Sequence, residues 1–96
     1  ENIGTSPSFL IIKNLTRGTA LMAVMGFFSQ RPDLVEHFSL IEARHGTFTF
    51  RFFPMETLDT ITSQILYHAP IHEGTFKVLE QAKNRLVLSY QPVSNP

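Results

Sequence analysis

The side chains best suited to chemistry in this chain are Lys13, Thr47, Thr49 and Arg51, which sit at alternating positions on two strand-like stretches. The first stretch is Leu10-Ile11-Ile12-Lys13-Asn14-Leu15 and the second is Thr47-Phe48-Thr49-Phe50-Arg51-Phe52. If the two lie side by side in the centre of one sheet, period-two alternation puts Ile11, Lys13, Thr47, Thr49 and Arg51 on one open face. An ammonium, a guanidinium and two hydroxyls there are donors suited to phosphate and sugar oxygens, so the chemistry is contact with a nucleic-acid backbone. Arg44 and Arg85 are expected at the rim of that face and Val87 on it. Glu56, Asp59, Glu73 and Glu80 are expected elsewhere, on the second helix or the loops after it. The competing reading of the same charges is a scatter of solvated side chains.

Which way the phenylalanine stretch turns decides the surface. With Phe48, Phe50 and Phe52 inward, the exposed row is Thr47, Thr49 and Arg51. The opposite register exposes Phe48 and Phe50 but buries Arg51, and an unpaired buried guanidinium costs several kcal/mol, on the order of 3 to 5. The first register is therefore the expected one. Two further aromatics bear on the face. Parity with Leu86 and Leu88 assigns Tyr90 to the core rather than the rim. Phe53 has two readings, as a member of the open row or as a staple beside Pro54 at the start of a helix.

Other chemistries find little here. His68 and His72 are four apart, but Pro70 between them breaks the helical geometry a metal pair needs, and no third ligand is evident. His37 and His45 read as lone surface histidines. No Gly-rich phosphate loop, nucleophile elbow or paired carboxylates occur. The expectation is therefore no enzyme, no cofactor and no metal.

Composition sets the outer bounds. The chain has 96 residues, 43% hydrophobic with nine phenylalanines, enough for one packed core. Eight Lys plus Arg balance eight Asp plus Glu, so any anion binding must come from local arrangement rather than bulk charge. The absence of cysteine excludes disulfides and thiolate metal sites and suits an intracellular setting, nuclear or cytoplasmic. The longest apolar run, Leu21 to Phe28, is far short of the roughly 20 residues that span a bilayer. Residues 1–7 and 93–96 are polar with Pro, Gly, Ser and Asn and read as linkers flanking one domain over 8–92.

In chain order, Ser8 to Leu15 reads as a central strand. Thr16 is expected to cap a helix from Arg17 to Gln30 whose buried face is Leu21, Val24, Met25 and Phe28, with Gly26 allowing close approach to the sheet. A second strand from Glu36 to Ala43 has irregular alternation, and its register stays open. Arg44-His45-Gly46 is a hairpin turn into the third strand, Thr47 to Phe53. A second helix runs from Glu56 to about His68 on Leu58, Ile61 and Ile65, ended by Ala69-Pro70. Thr75 to Leu79 and Arg85 to Gln91 form a small hairpin across Glu80 to Asn84. This order predicts an α+β fold of ferredoxin-like βαββαβ type: a four-stranded antiparallel sheet, two helices on one face, and a small extra hairpin before the last strand.

The hexamer Leu10 to Leu15, the helix positions Leu58, Ile61 and Ile65, and the final Arg85 to Pro92 together resemble the RNA recognition motif family over about Ser8 to Pro92. The resemblance implies single-stranded RNA bound on the open sheet face. In that family aromatics stand at the second hexamer position and on the third strand to stack bases. Here the hexamer position is Ile11 and the third-strand row is Thr47, Thr49 and Arg51, which makes the chain an atypical member. Two functions follow. One is a weak RNA-binding module, part of a larger protein, contacting RNA through Ile11, Lys13, Arg44, Thr47, Thr49, Arg51, Arg85 and Val87. The other is a protein-interaction or homodimerisation module in which Ile11 and Val87 make a partner surface. Neither involves a membrane.

Overall fold

A computed structural model describes residues 6–68 and 74–93. In order the elements are β1 (Ser8–Lys13), α1 (Gly18–Ser29), β2 (Val35–Arg44), β3 (Thr47–Pro54), α2 (Leu58–His68), β4 (Gly74–Ala82) and β5 (Arg85–Pro92). The expected helix stop at Ala69-Pro70, and the residues His72 and Glu73, lie outside the described residues.

The expected four-stranded antiparallel ferredoxin-like sheet is not what forms. The sheet is mixed and five-stranded, in the order β2-β3-β1-β5-β4. β1 and β3 do pair antiparallel near its centre, but β1 pairs β5 in parallel. The cause is β4, a full nine-residue strand rather than a short extra one. Its hairpin with β5 turns on Lys83 and Asn84 alone and reverses the chain, so the last strand enters beside β1 in the same direction. Composition explains which of the two goes inside. β5 buries Leu86, Val87, Leu88 and Tyr90, an almost unbroken run suited to a central strand, whereas β4 buries only Phe76 and carries Lys77, Glu80 and Gln81 to the edge.

One core lies between the sheet and both helices. Leu10 and Ile12 of β1, Phe50 and Phe52 of β3, and Leu86, Leu88 and Tyr90 of β5 pack with Val24, Phe27 and Phe28 of α1 and with Ile61 and Ile65 of α2. Phe50, Ile65 and Tyr90 have no exposed surface, and Tyr90 is accordingly a core residue. Each such ring or branched chain contributes about 1.5 to 3 kcal/mol by leaving water. Phe38 extends the cluster, stacked on Phe50 at 4.8 Å and tilted against Phe28 at 4.6 Å.

Several local expectations shift. α1 buries Ala20, Ala23, Val24, Phe27 and Phe28, with Leu21 and Met25 only partly covered, so its face is rotated from the one read by spacing. Its cap is Arg17 rather than Thr16, with no side-chain cap bond, and Gly26 makes no close approach because a Cβ there would meet open space. α2 starts two residues later than expected, where Thr57 Oγ1 accepts from the Thr60 backbone N–H at 3.2 Å and caps the helix. None of the described helices is long and apolar enough to cross a membrane.

Candidate nucleic-acid interface

The side of the sheet away from the helices is set out by strand register. One row reads Ser39, Arg51, Phe9, Arg85, Ala82 across β2, β3, β1, β5 and β4. The next reads Glu42, Thr49, Ile11, Val87, Glu80. Beyond it Arg44 pairs Thr47 on one flank, while Ser89 sits between Lys13 and Lys77 on the other. At the opposite end Glu36 pairs Phe53. All eight residues proposed from sequence, Ile11, Lys13, Arg44, Thr47, Thr49, Arg51, Arg85 and Val87, therefore share this face.

The turn of β3 is the one that electrostatics requires. Phe50 and Phe52 are buried, Phe48 is half-buried against the core, and Arg51 is exposed. Among the described residues no hydrogen bond or ion pair engages the side chain of Arg51 or of Lys13. Arg85 differs: its guanidinium donates to Glu80 Oε2 at 2.5 Å.

Local backbone devices hold these strands in place. Asn14 ends β1 in the left-handed region, φ 60°, which Asn tolerates better than most residues, and its Nδ2 donates to the Tyr90 carbonyl at 3.0 Å. The β2–β3 turn places His45 and Gly46 at φ 52° and 78°, the positive pair that matches hairpin twist. The Phe9 backbone N–H donates to the Asn84 carbonyl at 2.9 Å, tying β1 to the β4–β5 turn.

Three bulges rearrange what the sequence alternation implied. β2 slips between Glu36 and Ser39 and again between Leu40 and Glu42, and β4 slips between Val78 and Glu80. An extra residue on one strand reverses the parity that follows it. This is why the second strand looked irregular. The slip in β4 also corrects the charge map, since it delivers Glu80 to the open face opposite Val87 instead of leaving it in a loop. Its neighbour Gln81 turns to the helix side, where it accepts from Thr62 Oγ1 at 2.9 Å and donates to Asp59. The face is thus mixed, with Lys13, Arg44, Arg51, Lys77 and Arg85 against Glu36, Glu42 and Glu80.

Of the aromatics on this face, sequence reading missed Phe9 and left Phe53 with two readings. Phe9, half-buried, stands on the open face between Arg51 and Arg85. Phe53 takes the open-row parity, half-buried, with the His37 ring edge-on to it at 5.7 Å. His37 has φ 56° at the first bulge of β2, a conformation that costs a non-glycine residue of order 1 to 3 kcal/mol. The signal for Phe9 was its period-two spacing with Ile11 and Lys13, hidden because Leu10 and Ile12 are apolar as well.

Comparison with protein-family profiles, curated proteins and solved structures found no match.

Proposed function

We propose that this domain binds single-stranded RNA weakly through the open face of its sheet. The observation that carries the reading is the Arg51–Phe9–Arg85 row: a half-buried ring with a guanidinium on each side, one of them unengaged among the described residues. Bases of single strands stack on such rings with about 1 to 3 kcal/mol each, and neighbouring cations follow the phosphates. Phe9 and Phe53 are diagonal neighbours on the same face, a spacing of roughly 7 to 8 Å between Cα atoms. Two adjacent bases have rings to rest on. Lys13, Arg44 and Lys77 lie along the far end, where a backbone leaving those rings would run. The resemblance of Leu10 to Leu15 to the first-strand hexamer of the RNA recognition motif family supports the same ligand. The rings sit at other positions than that family's, two residues before Ile11 and at the end of β3.

The test is a titration of the labelled domain with mixed short RNA oligomers at two salt concentrations, followed by amide shifts. The expected result is movement of Phe9, Ile11, Arg51 and Val87 that weakens as salt rises. Silence at high RNA concentration, or a salt-insensitive dimer seen by light scattering with the same face protected, overturns the reading. The dimer would favour the protein-interaction alternative.

A further inference from the structure

We propose that the Phe9 row is selective for guanine, an inference that rests on the RNA reading above and adds the identity of the base. A base lying on the Phe9 ring has β3 on one side and β5 with β4 on the other. The two sides differ in chemistry. Arg51, on the β3 side, presents only N–H donors in a planar fork. On the β5 side the neighbour of Phe9 is Arg85, whose guanidinium is bound at 2.5 Å to Glu80 one row along on β4, so the carboxylate supplies acceptors there beside the guanidinium that holds it.

Guanine is the base that complements both with two bonds on each side, where uracil offers only one acceptor, O4, beside one donor, N3–H. Guanine O6 and N7 form an adjacent pair of acceptors that a guanidinium meets with two bonds, and its exocyclic N2 and the neighbouring N1–H are donors that a carboxylate meets. Adenine places its N6 donor beside N7 and so sets a donor against Arg51, and it has no N–H at N1. Cytosine likewise offers its N4 donor where guanine offers O6. Glu80 and Arg85 are 46% and 51% exposed at their side chains, so the carboxylate is accessible to a bound base while keeping its partner.

The bulge at β4 is part of the device. Without the slip between Val78 and Glu80, strand parity would send Glu80 toward the helices and Gln81 to the open face. An amide there would accept and donate indifferently, and the donor-reading side of the site would be lost. The cleft between the two helices offers no comparable site, because the Arg31 guanidinium that lines it already bonds Asp33 at 2.9 Å and Gln64 at 3.1 Å.

The experiment measures binding of uridine-rich RNA oligomers that differ only in one central base, by fluorescence anisotropy at fixed salt. The oligomer with a single guanine is expected to bind about tenfold tighter than those with adenine, cytosine or uracil. Arg51→Ala and Glu80→Ala should each erase that preference. Lys13→Ala should weaken all oligomers alike and keep it. Both Arg51 and Glu80 are exposed, and circular dichroism checks that the variants keep their fold. A guanine preference retained in the matching DNA oligomers also supports the inference, since the base edge is unchanged. Equal affinity for all four central bases, or a preference for another base, overturns the guanine assignment while leaving RNA binding intact. No binding by any oligomer overturns the RNA reading itself.

Discussion

Phe9 and Arg51 are directly opposed across the β1–β3 ladder, both on the face that the helices leave open. Directly opposite residues in such a pair bring their side chains within about 5.5 Å at Cβ, close enough for the guanidinium and a base stacked on the ring to meet. The pairing makes two contributions separable by mutation, one from stacking and one from charge.

Phe9→Ala should lower RNA affinity by about 1 to 3 kcal/mol with little change in salt dependence, because a ring releases no counterions. Lys13→Ala should instead reduce the slope of log affinity against log salt by about 0.7. Titrations across a salt series measure both quantities. An equal change of slope in the two variants would contradict the division.

Gly74 is irreplaceable for a packing reason. A Cβ built there would lie 2.5 Å from the Tyr90 ring and hydroxyl and 2.7 Å from the Gln91 carbonyl, and Tyr90 is fully buried and unable to retreat. Gly74→Ala should destabilise the domain by about 1 to 3 kcal/mol in urea unfolding. Gly26→Ala, at a position with open space around it, should be neutral or stabilising by up to about 1 kcal/mol.

Asn14 combines a left-handed backbone with the bond to the Tyr90 carbonyl. Asn14→Ala should cost about 1 to 2 kcal/mol for the conformation and roughly 1 kcal/mol more for the bond. Asn14→Gly should recover the conformational part only. Thermal unfolding of the three proteins gives the comparison, and identical losses for Ala and Gly would show that the backbone conformation is not the cost.

Asp33 should titrate below its ordinary 3.8, chiefly because the Arg31 side chain donates hydrogen bonds to it, with slight desolvation opposing and a backbone hydrogen bond and the Arg31 charge adding. A depressed folded value means that the contribution to stability is present above the ordinary carboxylate range and is lost as pH falls through the folded value. A carboxyl-detected NMR titration should find the lowered midpoint in the native protein and its return toward 3.8 in Arg31→Ala.

The local signals were strong where one physical rule governed alone. The burial cost of a guanidinium oriented β3, and the alternation of Phe48, Phe50 and Phe52 with Thr49 and Arg51 made that orientation visible. Ile61 and Ile65 marked the buried side of α2 for the same kind of reason, a single apolar stripe on a polar background. β2 resisted because two bulges interrupt its alternation, and no residue type announces a bulge as a glycine announces a turn. Phe9 was hidden in a run of four apolar residues, where periodicity carries no information about which side faces water.

Sequence by itself therefore determined the two helices and the inward turn of the rings, since these follow from hydrophobic periodicity and the desolvation of one charge, and the order of elements led to the pairing of β1 with β3. Tertiary structure alone decided that β4 occupies the edge, that β5 runs parallel to β1, and that Glu80 and Phe9 meet Arg51 and Arg85 on one face. Those outcomes depend on strand direction and on bulges that flip side-chain parity, and both are set by competition among whole strands for the interior of the sheet.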